Sequence, residues 1–144
     1  MSLVLRSDLG ILLLQRGRPY AEFLGADASA QTGIGLWELP GGGLDFGETP
    51  LGAGVRETHE ETGILIEERD LKLLACCAYT LKSVQCESHR IHVIYETSLR
   101  GPSQVRPSEE HVAYRWVRDS GEVQNLSMIA EIRKVMFSMR APTR

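Results

Sequence analysis

The sequence predicts a layered domain of the α/β or α+β class, on three observations. Short apolar runs of strand length recur along the chain, a well-capped helix is written between residues 49 and 63, and apolar residues return at helical spacing near the C-terminal end. A chain of 144 residues suits one domain, 1–144, able to bury a core of its own. No internal repeat, low-complexity tract or linker divides it.

In chain order, Ser2 to Arg6 and Ile11 to Gln15 read as strands around a Ser7-Asp8-Leu9-Gly10 turn. Residues 17–35 intersperse Gly, Ala, Ser and Pro and read as a long loop, a kind that usually carries function or lacks order. Tyr20 and Phe23 within it are candidates for variable substrate contacts. Trp37 to Leu39 is a short strand leading into a glycine loop. The next helix has Thr49 as N-cap, Pro50 at the first helical position and Gly63 where a left-handed residue closes the last turn. At about 100° per residue, Leu51, Val55, Thr58 and Thr62 share one narrow face, the packing face. Glu57, Glu60 and Glu61 fall roughly opposite, spaced so that neighbouring side chains converge. Gly52 and Gly54 each weaken the helix by ~0.8–1 kcal/mol relative to Ala and are read as close-packing positions. Leu71 to Thr80, Arg90 to Thr97 and His111 to Val117 complete the strands. Leu126, Ile129, Ile132, Met136 and Met139 define a C-terminal amphipathic helix, read as core packing.

Composition narrows the functional classes. The apolar and charged fractions are those of an ordinary soluble globular protein, with no apolar run of membrane-spanning length and no signal-peptide pattern. Cys76, Cys77 and Cys86 form neither a disulfide framework nor a metal-ligand spacing, so a reduced, cytoplasmic chain is expected. No three of the four histidines have a zinc spacing. A net charge of −3 argues against stable nucleic-acid binding, which needs a basic patch. It leaves room for a phosphorylated small molecule, because a bound cation inverts the local field.

The chemistry is concentrated in residues 42–64. Gly42 is followed after five residues by Glu48, then after seven by Arg56-Glu57, then Glu60-Glu61, Gly63 and Ile64. An acidic helix face is ordinarily just solvated. Here seven prescribed identities coincide, on the order of once in 10⁸ windows by chance at typical residue usage. Clustered carboxylates repel one another unless a hard cation lies between them, and hard cations prefer oxygen ligands. Mg²⁺ is the expected cation, with Mn²⁺ as the alternative, since Mg²⁺ binds through a few carboxylates and takes substrate phosphates as further ligands. The stretch reads as a metal–phosphate site.

This spacing resembles the signature of the Nudix hydrolases, of the MutT type: G-x5-E-x7-R-E-U-x-E-E-x-G-U, with U aliphatic. Thr58 departs from it, standing where Ile, Leu or Val is usual. The departure falls on the packing face and bears on packing more than chemistry. The similarity continues upstream through Trp37-Glu38-Leu39-Pro40-Gly41-Gly42. It implies an α/β/α sandwich with a mixed sheet between helices, and Mg²⁺-dependent hydrolysis of a phosphoanhydride in a nucleoside diphosphate-linked substrate, with a slight tilt toward a nucleoside triphosphate or small nucleotide derivative. By the same resemblance Glu57, Glu60 and Glu61 hold the metal, and one of them, Glu57 foremost, orients or deprotonates the attacking water. The Gly41 or Gly42 carbonyl completes the metal shell. Arg56 belongs to the catalytic box but is read as structural, pairing with Glu48 or a neighbouring carboxylate. Glu48 has a second reading as a ligand through water.

Outside the box, Arg16 is either a phosphate-contacting arginine or a solvent-exposed strand-end residue. Glu109 and Glu110 either supply a further metal-binding acid, Glu110 being the candidate, or form a solvated turn. Trp37 either stacks on a base or packs beside the core. His92 shares strand parity with Ile94, and His89 with Ile91 and Val93, either face being a pocket border or a solvent face. Homodimerisation is common in the family, with nothing in these residues to establish it. Two other readings compete with the hydrolase. A silent nucleotide-binding or sensor module would be favoured by lost box carboxylates, and none is lost. A diphosphate isomerase would need a catalytic cysteine in a matching context, and none is evident.

Overall fold

The computed structural model describes residues 1–20, 33–82, 87–101, 104–118 and 120–138. Among these, six strands form one mixed sheet: β1 (Ser2–Ser7), β2 (Gly10–Arg16), β3 (Trp37–Glu38), β4 (Lys72–Lys82), β5 (Glu87–Ser98) and β6 (His111–Val117). Their order is β3-β2-β1-β5-β4, with β6 also paired to β2. β1 runs parallel to β5, and the other pairs are antiparallel.

A divergence between the first two strands builds the site. β1 and β2 pair only next to their turn, at Arg6↔Ile11 and Ser7↔Gly10. Further along they part, and β3 with the two residues after Leu39 enters the gap. Leu14 pairs with Glu38, the Leu3 amide donates to the Pro40 carbonyl at 2.8 Å, and Ser2 bridges Gly41. β2 is therefore lined along both edges, and both its faces are covered. That is why Leu12, Leu13 and Leu14 are apolar at consecutive positions, all with no exposure.

Strand alternation sends these leucines to two cores. Leu12 and Leu14 join Leu3, Leu5, Ala53 and Ile64 on one side of the sheet. Leu13 joins Val4, Ile94, Val123, Ile132 and Met136 on the other. The first core lies under α1 (Pro50–Thr62), the second under α2 (Ser120–Gln124) and α3 (Ala130–Ser138). The result is the α/β/α sandwich that the resemblance implied, within the layered class that the patterning predicted.

α1 has the boundaries its caps dictate. The Thr49 hydroxyl accepts from the Gly52 amide at 3.0 Å, and Gly63 closes the helix at φ +71°. Its buried face is rotated from the predicted one. Ala53, Gly54, Thr58, Glu61 and Thr62 are buried, whereas Leu51 and Val55 are only half-buried. The helix lies so close to β1 that a Cβ on Gly54 would stand 3.0 Å from Leu3 Cδ1, which confirms the close-packing reading there. At Gly52 the nearest atom would be the hydroxyl of the Thr49 cap, not a core side chain. Thr58 is fully buried and its hydroxyl lacks a hydrogen-bond partner.

The expected C-terminal helix is corrected to a shorter one, α3, and α2 precedes the residues it was read from. Leu126 and Ile129 are outside α3, and Met139 lies outside the described residues. The late start has a local cause: the Ser127 carbonyl accepts from the Trp37 amide at 2.7 Å, which draws this segment off the helical path and onto β3. Among the described residues no helix is long and apolar enough to cross a membrane. Phe23 and Cys86 also lie outside the described residues.

Candidate active site

The glycine loop and α1 meet at two carboxylates. Gly41 adopts φ +151°, a backbone state open to glycine, which aims its amide at Glu61. That amide donates to Glu61 Oε2 at 2.7 Å. A Cβ on Gly42 would collide with the Glu57 carboxylate, so the missing side chain is what makes room for it. The Gly42 carbonyl faces the same space and accepts from the Met1 amine at 2.7 Å. Glu61 is 6% exposed, and its burial pushes its pKa up to about 8. The Gly41 hydrogen bond opposes that rise, while the nearby Glu38 and Glu57 charges add to it. Burial also raises Glu57, against the pull of Arg56.

Arg56 fixes this corner. Its guanidinium grips Glu48 with Nε at 2.8 Å and a second nitrogen at 2.9 Å, a bidentate pair. It also reaches Glu60 at 3.0 Å, Glu57 at 3.1 Å and the Gly43 carbonyl at 3.3 Å. The hydrogen bonds to Arg56 hold Glu48 down to about 2. The loop, its last acid and the helix are thus tied by one side chain.

A second ionic group lies beside the first, centred on Glu38 of β3. Its Oε1 accepts from Arg16 Nε at 2.7 Å and lies 3.0 Å from His111 Nε2, and its Oε2 accepts from the Tyr20 hydroxyl at 3.0 Å. His111 is wholly buried, is held from behind by Ser108 at 3.1 Å, and stands 3.7 Å from Glu61. Burial works against the charge of Arg16, but Glu38 and then Tyr20 outweigh it and its pKa is raised. Arg16 also pairs with Glu110 at 3.2 Å.

Both groups open into a cavity of about 770 Å³. Its opposite wall comes from β4 and β5, where Arg90, His92 and Tyr79 face inward, and Ile129 and Ile132 with Trp37 supply an apolar margin. His92 bridges Tyr79 at 3.1 Å and Ser2 at 2.8 Å. Burial, followed by the Met1 amine and Arg90, lowers its pKa to about 4, so at neutral pH it is uncharged.

Glu57, Glu61, Gly41 and Gly42 therefore come together as the sequence suggested, along with Arg16, Trp37 and Glu110 at the cavity. Glu60 does not join them. Its side chain is 55% exposed and turned to Arg56, because the buried face of α1 is centred nearer Glu61. Arg16 is neither a solvent-exposed strand end nor an unpaired cation. Glu109 is 87% exposed on Arg18, the solvated alternative. Trp37 both borders the cavity and packs on the core, with the Arg115 guanidinium 5.3 Å from its ring centre. Sequence reasoning missed Glu38, His111, Tyr79 and Arg90. A signal existed for two of them: Glu38 is an acid flanked by Trp37 and Leu39 in an apolar strand, and Arg90 shares parity with His92 and Ile94.

The donors at the carboxylate corner are all oxygens, namely Glu57, Glu61 and the Gly42 carbonyl. Among the described residues no three His, Cys, Asp or Glu side chains cluster as a ready-made metal cage. That is compatible with Mg²⁺, which binds through one or two carboxylates, keeps waters and recruits substrate phosphates. Two desolvated carboxylates with raised pKa values are the local cost that such a cation would relieve.

Comparison with known proteins agrees with this geometry. The family model of the NUDIX domain matches residues 1–135. Among curated proteins, the chain is 34% identical to an RNA pyrophosphohydrolase of Mesorhizobium japonicum over 89 residues, covering 62% of this chain and 46% of that protein. It is 35% identical to the mouse bis(5'-nucleosyl)-tetraphosphatase [asymmetrical] over 97 residues, 67% of this chain and 63% of that one. The chain thus spans about half the length of the first and under two thirds of the second. Among solved structures, a MutT protein from Methanosarcina mazei Go1 superposes with a TM-score of 0.69 at 22% identity, covering 94% of this chain and 86% of that one. A MutT NUDIX hydrolase from Burkholderia pseudomallei gives 0.70 at 24% identity, covering 96% and 95%. These structures share the fold.

Proposed function

The chain belongs to the Nudix family, and from that premise we propose that it is a Mg²⁺-dependent hydrolase of phosphoanhydride bonds in nucleoside diphosphate-linked substrates, a nucleoside triphosphate or small nucleotide derivative foremost. The observation that carries the reading is the pair Glu57 and Glu61, desolvated together under a glycine loop at the end of a cavity large enough for a nucleotide. The names of the two curated relatives, a pyrophosphohydrolase and a tetraphosphatase, support a phosphate anhydride as the scissile bond.

Glu57, Glu61 and the Gly42 carbonyl would hold Mg²⁺, with Glu110, which lines the same cavity and whose charge acts on Glu57, as a further acid. When bound, the cation supplies charge neutralisation to the transferring phosphoryl group. Glu57, steadied by Arg56, would orient the attacking water. Glu61 keeps its geometry through Gly41 and the neighbouring His111. Glu60 serves by bracing Arg56. The intact set of box carboxylates weighs against a silent sensor.

The test is product analysis on a panel of nucleoside triphosphates, nucleotide sugars and dinucleoside polyphosphates, with Mg²⁺ and with EDTA. Mg²⁺-dependent turnover that falls by about 10³-fold in Glu61→Gln is expected. A folded protein that turns over no member of the panel would overturn the reading.

A further inference from the structure

The cavity wall built by β4 and β5 carries a hydrogen-bonded chain that the reaction proposed above does not use. The Tyr79 hydroxyl lies 3.1 Å from His92 Nδ1, and His92 Nε2 lies 2.8 Å from Ser2 Oγ. All three residues line the cavity. Tyr79 stands on β4 and His92 beside it on β5, their ring centres 5.7 Å apart, and Tyr79 and Ser2 are each 6% exposed. Both partners of the imidazole are neutral hydroxyls, which suit either of its tautomers. Burial keeps the ring itself uncharged at neutral pH.

A neutral imidazole has one N–H, and a hydroxyl both donates and accepts. The chain therefore has two complete states. With the proton on Nε2, the ring donates to Ser2 and the Tyr79 hydroxyl donates to Nδ1, which leaves the tyrosine oxygen as an acceptor. With the proton on Nδ1, the Ser2 hydroxyl donates to Nε2 and the ring donates to the tyrosine oxygen, which leaves the Tyr79 O–H as a donor. Ring and hydroxyls carry one proton each in both states, so no charge is created. Tyr20 has no such freedom, because its hydroxyl donates to the Glu38 carboxylate at 3.0 Å.

We propose that the Ser2–His92–Tyr79 chain reads the base of the substrate with a polarity that the base itself sets, so that the cavity takes nucleotides of adenine, with an exocyclic amine, and of hypoxanthine or guanine, with a carbonyl there, alike. The inference rests on the nucleotide-hydrolase reading and names the substrate range of that same site. Tyr79 packs in one cluster with Trp37, Ile129 and Ile132, which supply the apolar margin of the cavity. A base is an apolar plane with a polar edge, and a plane laid on that margin has Tyr79 as a polar neighbour. A group of fixed polarity would leave a donor or an acceptor unpaired against one of the two kinds of base, and would separate them on the order of 10- to 100-fold. A chain that changes tautomer meets either.

Protein labelled with ¹⁵N at histidine would be titrated with AMP and with IMP, which lack the anhydride, and the His92 nitrogen shifts read by NMR, with His92→Gln for assignment. AMP should draw His92 toward the Nε2–H form and IMP toward the Nδ1–H form. With Mg²⁺, kcat/KM for ATP and ITP should agree within about fivefold in wild type, and Tyr79→Phe should lower both by about three- to tenfold. The same tautomer with both nucleotides, no response of His92 to either, activity unchanged in Tyr79→Phe, or a wild-type preference of about 10²-fold for one triphosphate would overturn the proposal. The wild-type readings decide it alone if the phenylalanine variant misfolds. If neither triphosphate is hydrolysed while the tautomer still follows the base, the hydrolase reading fails and the base-reading chain stands; turnover with an unresponsive His92 means the reverse.

Discussion

Replacing Glu61 with Gln should stabilise the metal-free protein at alkaline pH and do almost nothing to it in acid. Burial raises the Glu61 carboxyl from 4.5 to about 8 in the folded state, whereas in the unfolded chain it titrates normally. Between those values the folded protein binds the extra proton. Stability from this group is therefore complete below about pH 4.5 and is lost as pH climbs through about 8. Each tenfold change in proton affinity is worth about 1.36 kcal/mol, so the full cost of ionising Glu61 in place approaches ~5 kcal/mol. Local relaxation and water entry reduce it to a few kcal/mol. Gln keeps an acceptor for the Gly41 amide without the charge. Urea or thermal unfolding in EDTA, at pH 5 and pH 8, measures the gap. The variant should exceed wild type by about 2–4 kcal/mol at pH 8, roughly 3 °C in Tm per kcal/mol at this chain length. Mg²⁺ at pH 8 should narrow the gap by binding the ionised form. A gap of the same size at both pH values would refute the reasoning, since it would mean that packing and not charge sets it.

Other perturbations test separate parts of the site. Gly42→Ala drives a Cβ into the Glu57 carboxylate and should lower kcat by about 10²-fold with an unchanged circular dichroism spectrum. Thr58→Val removes a buried hydroxyl that lacks a partner and should raise stability by about 1 kcal/mol, read by thermal denaturation; a loss would mean that the hydroxyl is satisfied. His92, lowered from 6.5 to about 4, should show the neutral imidazole signature by NMR from pH 8 down to pH 5, and the fold should lose stability as pH falls from about 6.5 to about 4, where the unfolded chain takes up a proton that the folded one does not. Arg56→Lys keeps charge but loses the bidentate grip on Glu48, and should cost activity about tenfold or more while the helix content stays the same.

What the sequence disclosed was what short-range chemistry controls. Thr49, Pro50 and Gly63 set the ends of α1 because caps act within a turn, and the alternation in β5 put His92 with Ile94 for the same reason. The orientation of α1 was harder. Glu60 and Glu61 are one residue apart, and which of them turns inward depends on where β1 and the glycine loop lie. Gly54 against Leu3 and Gly41 against Glu61 settle that, and neither contact is local. The partners of Glu38 were unreadable for the same cause, since Arg16 and His111 come from distant strands. The late start of α3 was hidden because Leu126 and Ile129 keep helical spacing with Ile132, while the Ser127 carbonyl between them serves β3.

The position of Glu38 also bears on when this site can exist. One of its partners, His111, lies 73 residues further along the chain, and Glu110 is 94 residues beyond the arginine it neutralises. As the polypeptide emerges from the ribosome, β1, β2, β3 and α1 are made early, but β2 must wait for β6 to cover its second edge. Until then Glu38 and Glu61 lack the imidazole that lies beside them both. Contacts of such separation form late and slow the search for the native state. Hydrolytic competence should therefore appear only once β6 is in register, and a nascent chain stopped before residue 111 would carry the whole signature box without an assembled centre.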